Sequence, residues 1–214
     1  GNFPSFMRKT DETRVQSIKH ILEQYKGQRF VACEKLDGSS LSAYLKDGKF
    51  GVCSRNLDLT EAEGCRFWST VRKLKIEEIL RTVHNETGKE VCFQGELIGE
   101  GIQKNPYKLQ GNTYKIFTIF NITDQTYIPH KGVNELLGIG LPSRDLFVPV
   151  LDDDITLTDD VGELLKMAEI KSLLNPDVDA EGIVLRPYSE EGYHPKIGRL
   201  SFKVISNKYL LKGN

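Results

Sequence analysis

The stretch Glu34-Lys35-Leu36-Asp37-Gly38-Ser39-Ser40 decides how the chain is read. It follows an alternating segment, 29–35, that reads as a strand, and it places a lysine at the strand end just before a glycine that lets backbone approach a ligand closely. Alone the signal is weak. A K-x-D-G match arises by chance in roughly one chain in twenty of this length, and Lys46-Asp47-Gly48 stands close by. Its meaning therefore depends on what accompanies it.

Working outward, the residues Val15, Ile18, Leu22 and Tyr25 recur at helical spacing and predict an amphipathic helix ending near Gly27. Strands are expected over 29–35, 40–45 and 49–54, with Asp47-Gly48 turning the last two into a hairpin. A long helix is expected over 61–83, where Cys65, Trp68, Val71, Ile76, Ile79, Leu80 and Val83 make an apolar stripe. Strands over 91–98 and 114–122, a short helix near 133–137 and a strand over 147–150 follow. Asp152, Asp153, Asp154, Asp159 and Asp160 read as a solvated loop leading to a helix over 161–174. Strands over 182–186 and 200–205 close the chain. No internal repeat or clear linker interrupts it.

The 214 residues, 39% hydrophobic, suffice for one large α+β domain. With 29 basic and 30 acidic residues the balance argues against a polyanion-coating surface, so any nucleic-acid contact is expected to be a local patch. The best one is residues 192–214, which hold Lys196, Arg199, Lys203, Lys208 and Lys212 and no acid. Cys33, Cys53, Cys65 and Cys92 form no C-x-x-C pair and read as reduced core thiols. Without an apolar run of membrane length or a signal pattern, an intracellular protein with no membrane partner is expected.

The company of the lysine lies downstream, in order: Ser54-Arg55-Asn56, Gly95-Glu96-Leu97-Ile98-Gly99, residues 117–121, Glu181-Gly182-Ile183-Val184 and Phe202-Lys203-Val204. The ordered series, spanning about residues 30 to 210, resembles the covalent nucleotidyltransferase superfamily of ligases and capping enzymes. Within it, the Gly95–Gly99 motif and the ending from Phe202 to Leu211 are most similar to the ATP-dependent nick-sealing RNA ligases of the Deinococcus and Naegleria type.

That resemblance implies an α+β nucleotidyltransferase domain of the ATP-grasp-like ligase type over residues 1–214, with antiparallel sheets, flanking helices and a central nucleotide cleft. A further N-terminal domain in the full-length protein is compatible with it. It implies an RNA-repair ligase: Lys35 attacks ATP to form lysyl-AMP, AMP passes to an RNA 5′-phosphate, and a 3′-hydroxyl then displaces it. The expected cofactors are ATP and Mg2+ or Mn2+. The expected partner is RNA, in a nicked duplex, and the expected state is a monomer. The lack of an oligonucleotide-binding domain after the last motif favours an RNA ligase over a DNA ligase or a capping enzyme. A DNA ligase and a non-catalytic nucleotide or RNA-end binding module remain the alternatives.

The physical reading of each residue stands beside the implied role. Only the neutral amine of Lys35 is nucleophilic, and an ordinary lysine pKa of about 10.4 makes that form cost about 4 kcal/mol near neutral pH. Burial and a divalent cation both reduce that cost. Asp37 is assigned to orient the amine or a metal-bound water, and otherwise reads as a turn residue. Glu34, an acceptor, suits the adenine amino group. Arg55 and Glu96 suit phosphate and ribose, and an ion pair is the competing reading. Phe120 is matched to the family's adenine-stacking ring, with core packing as its rival and Phe117 as second choice; Asn121 follows where the family often has aspartate. Glu181 is assigned to a metal through water. Lys203, flanked by two apolar residues, alternates away from the core and is assigned to the α-phosphate. The family's second lysine is replaced by Ile205, for which Lys208 is a candidate substitute.

Overall fold

The computed structural model of the protein describes residues 1–189 and 192–212. In chain order the elements are β1 (Thr13–Arg14), α1 (Lys19–Tyr25), β2 (Arg29–Lys35), β3 (Ser39–Lys46), β4 (Lys49–Cys53), β5 (Asp58–Leu59), α2 (Arg66–Lys73) and α3 (Ile76–Thr87). There follow β6 (Val91–Gly99), β7 (Asn112–Asn121), β8 (Thr126–Ile128), α4 (His130–Leu136), β9 (Val150–Thr156) and α5 (Val161–Ala168). The chain closes with β10 (Gly182–Pro187), β11 (Tyr193–His194), β12 (Gly198–Arg199), β13 (Phe202–Ile205) and α6 (Asn207–Lys212). The fold is mixed α+β, and among the described residues its strands pair antiparallel except for β1 with β13.

The chain forms two compact units, each assembled from separate stretches: Gly1–Thr10 with Asp37–Phe147, and Asp11–Leu36 with Val148–Asn214. The first contains a sheet in the order β5-β4-β3-β6-β7-β8. One face buries Leu41, Ala43, Leu45, Phe93, Tyr114 and Ile116 against Trp68 and Val71 of α2 and Ile76, Leu80 and Val83 of α3. Burying each such large side chain contributes about 1.5 to 3 kcal/mol. The other face carries a smaller cluster, Tyr44, Cys53, Cys92, Phe120 and Ile122, capped by Met7 with Phe3 and Phe6.

The second unit contains a sheet in the order β1-β13-β10-β2-β9. Phe30, Ala32, Ile183, Leu185, Phe202 and Val204 face Ile21 and Leu22 of α1 and Leu164 and Ala168 of α5. Strand alternation sends the intervening residues to the opposite face.

Three expectations need correction. The helix expected over 61–83 is two helices, broken where Lys75 adopts a left-handed φ of 57°. The strand expected over 147–150 begins only at Val150 and continues through Asp152, Asp153 and Asp154, where the sequence predicts a solvated loop. As an edge strand it needs pairing on one side only, and Arg29 on β2 forms ion pairs with Asp153 and Asp154 at 3.8 and 3.3 Å. The helix expected over 161–174 stops at Ala168, and an irregular segment follows. The hairpin at Asp47-Gly48 forms with both residues at positive φ, as a tight two-residue turn requires. All four cysteines are free thiols, Cys53 and Cys92 buried and the other two half-buried. No helix among the described residues is long and apolar enough to cross a membrane.

Candidate active site

In the second unit the sheet register gathers the basic residues. Lys35 ends β2 opposite Gly182, and Cys33 lies opposite Val184, which lies opposite Lys203. Directly paired residues share a sheet face, and alternation puts Lys35 on the face of Cys33. Lys35 and Lys203 thus stand on one face, away from the apolar core. Lys35 Nζ is 3.1 Å from Glu181 Oε1, both side chains largely buried, at 24% and 16% exposure. Gly182 makes this corner possible: a Cβ there would overlap the Val204 carbonyl oxygen.

The same register exposes a residue the sequence reading missed. Arg14 on β1 pairs in parallel with Lys203, which adds a guanidinium to that face. β1 has only two residues and no periodicity to announce it. A neighbouring ion pair anchors it: Glu12 Oε1 accepts from Arg186 Nη2 at 2.7 Å, with both side chains nearly buried. Burial raises the Glu12 pKa, but the charges of Arg186 and Arg199 and the hydrogen bonds around it prevail and hold it below the ordinary value.

Glu34 is not brought to the Lys35 face. It is 1% exposed and turned to the opposite side of β2. Oε2 accepts from Ser172 Oγ at 2.8 Å and Oε1 accepts from the Leu173 amide at 2.6 Å. Burial raises its pKa and these bonds lower it in part, with a net upward shift.

In the first unit, Asp37 and Gly38 lie against β6. A Cβ on Gly38 would overlap the Leu97 carbonyl oxygen and come within 3.0 Å of Glu96 Oε2, so the glycine places the turn against that carboxylate. Glu96 is flanked in register by Ser40 and Lys115 on its face of the sheet. Lys115 Nζ donates to the Asp145 carbonyl at 2.5 Å. Arg55 is exposed in the connection between β4 and β5.

The two candidate rings differ. Phe120 is fully buried, its ring 5.0 Å from that of Tyr127 and packed in the cluster beneath Met7. Phe117 is the extra residue of a bulge, because Gln94 pairs with Thr118 while Gly95 pairs with Ile116. It is half-buried and belongs to none of the three apolar clusters.

Among the described residues no group of three or more His, Cys, Asp or Glu side chains could enclose a metal. Glu181 and Asp37 are each half-buried carboxylates. A cation that keeps most of its water needs only one or two carboxylates, so either residue taken singly fits a hydrated Mg2+ or Mn2+ better than a protein-caged ion. Lys208 is exposed at the start of α6, and Ile205 is buried. The last two residues of the basic stretch 192–214 lie outside the described residues.

The family model described as RNA ligase matches residues 28–205. Comparison with curated proteins gave no match. Among solved structures, a Naegleria gruberi RNA ligase with pyrophosphate is 38% identical, with a TM-score of 0.85, over 99% of this chain and 59% of that one. A lysine-to-methionine mutant of the Naegleria gruberi enzyme with AMP and manganese, and a lysine-to-alanine mutant with ATP and manganese, are 37% identical at the same TM-score, covering 99% of this chain and 60% of theirs. The chain therefore spans about three fifths of the length of these relatives. With the motif order, both sheets and the family match in agreement, the chain belongs to the RNA ligase family.

Proposed function

We propose that the chain is the catalytic part of an ATP-dependent RNA ligase, of the ATP-grasp-like nucleotidyltransferase type, and that Lys35 is its nucleophile. The observation that carries this reading is the pairing of a largely buried Lys35 with Glu181 on a sheet face shared with Lys203 and Arg14. An amine, a carboxylate and two cations on one face suit attack on a phosphate.

The neutral amine of Lys35 attacks the α-phosphorus of ATP. The Nζ–P bond forms as the bond to the bridging oxygen of the β-phosphate breaks, pyrophosphate leaves, and the amine proton passes to solvent. Lys203 neutralises charge on the α-phosphate as it builds, and Arg14 offers a planar fork to the departing phosphates. Arg14 thus adds a second cation beside Lys203, two residues along β13 from Ile205, where the family has its second lysine. Glu181 would hold a hydrated cation, and Asp37 would orient a water of that kind. When bound, Mg2+ or Mn2+ supplies positive charge that disfavours the ammonium form of Lys35.

Glu96 and Arg55 are assigned to the ribose and neighbouring phosphate. Phe117 is preferred to Phe120 as the ring that stacks on adenine, because only Phe117 is partly exposed and outside the apolar clusters. Glu34 can accept from the adenine amino group only through lone pairs left beside Ser172 and Leu173. AMP then passes from Lys35 to an RNA 5′-phosphate, and the 3′-hydroxyl closes the nick with release of AMP. The relatives solved with ATP or AMP and manganese support this choice of nucleotide and metal.

The test is incubation with α-labelled ATP and magnesium or manganese, followed by a chase with nicked duplexes whose 3′ strand is RNA or DNA. Covalent label in the wild type, its loss in Lys35→Ala, and transfer that seals the RNA nick are expected. Equal sealing of a deoxy 3′ strand would make the protein a DNA ligase. Nucleotide binding without covalent label would make it a binding module.

A further inference from the structure

The connection between β6 and β7, residues 100–111, has an unusual backbone. Gln103, Lys104 and Asn105 take φ values of 48°, 60° and 48° in succession, and Lys108 takes 51°. The left-handed region is costly for residues with a Cβ, and consecutive occupancy is rarer still. Such a shape persists only where its surroundings over-determine it.

Two sets of bonds do so. The Asn105 side chain donates to the Leu109 carbonyl at 2.9 Å and accepts from the Leu109 amide at 3.1 Å, closing the loop on itself. Tyr107, 6% exposed, accepts the backbone N–H of Asp37 at 2.6 Å on its hydroxyl oxygen. The donor and acceptor are 70 residues apart in sequence. The next residue, Gly38, is in close contact with Leu97 and Ile98. The Asp37-Gly38 turn is therefore held from two directions, by β6 and by a buried phenol on a strained loop.

A buried tyrosine satisfies its hydroxyl wherever an acceptor or donor lies near. Here the hydroxyl meets the amide of the acidic residue in the Lys-x-Asp-Gly motif, on a loop whose backbone departs from the ordinary to deliver it. We propose that Tyr107 is a positioning residue for adenylyl transfer: its hydroxyl fixes the Asp37 backbone and thereby the aim of the Asp37 carboxylate. This rests on the reading that Asp37 serves the attack of Lys35 on ATP.

Tyr107→Phe removes one oxygen and keeps the ring. The maximal rate of lysyl-AMP formation is expected to fall about ten-fold. The ATP concentration giving half-maximal rate is expected to stay within about two-fold, as it must when orientation and not binding is lost. Asn105→Ala, which keeps Tyr107 but loosens the loop that holds its hydroxyl on Asp37, is expected to lower the rate in the same way, and it carries the test should Tyr107→Phe fold poorly. A wild-type rate in a folded variant, or a loss accounted for wholly by weaker ATP binding, overturns the proposal. Lys35→Ala and Asp37→Ala run beside them: label surviving in either overturns the reading of the site and this proposal with it. Label lost in both, with Tyr107→Phe as fast as wild type, overturns only the role of Tyr107.

Discussion

Glu34 and Lys35 are adjacent in sequence and opposite in fate, because a strand turns neighbouring side chains to opposite faces. Glu34 has a raised pKa, so the folded state is penalised as pH rises from the ordinary carboxylate range through that raised value, and the penalty is absent below it. Glu34→Gln keeps an acceptor for the Leu173 amide and removes the buried charge, while the Ser172 hydroxyl loses its acceptor. It is expected to raise the unfolding midpoint at pH 8 and to lose that advantage at pH 4; a gap that does not depend on pH would contradict the assignment. The alternation that sets Lys203 apart from Phe202 and Val204 was readable in the sequence. The choice between Phe117 and Phe120 was not, since a bulge opposite Gln94 and Gly95 depends on pairing that no local pattern announces. Arg14 was unreadable for a similar reason: its strand is held by Glu12 and Arg186, 174 residues apart. Arg14→Ala and Lys203→Ala are each expected to slow lysyl-AMP formation by about 100-fold, the loss typical of removing one charge-stabilising donor. Quenched-flow labelling with α-labelled ATP measures this, and a rate within two-fold of wild type would remove that residue from the site.

At the scale of elements, glycines set where strands and turns meet. Gly38→Ala would drive a methyl group into the Leu97 carbonyl, and Gly182→Ala would do the same at Val204. Each is expected to cost about 1 to 3 kcal/mol, measured by urea unfolding. An unchanged midpoint would mean that the turn moves freely and that the close approach is not a constraint. Most strands and the hairpin at Asp47-Gly48 were legible from alternation and turn chemistry. The edge strand β9 was not, because three consecutive aspartates erase the apolar alternation that a half-buried strand normally shows. The break between α2 and α3 was hidden too: Lys75 is neither glycine nor proline, and the apolar stripe runs through it.

At the scale of the whole molecule, a net charge of −1 leaves no general attraction for polyanions, so the RNA affinity that the proposed function requires would come from a few placed cations. The logarithm of RNA affinity is expected to fall against the logarithm of salt concentration with a slope of about −2 to −3, as for three or four phosphates. A slope near −10 would demand a broad basic surface that the composition does not provide. The central claim is that Lys35 carries AMP. Its most direct test is mass spectrometry of the protein after ATP and manganese, with the modified residue located by peptide fragmentation. One AMP on Lys35, absent from the Lys35→Ala protein, is the predicted result; AMP on another residue, or none after any bound nucleotide has been stripped and ATP restored, would contradict it.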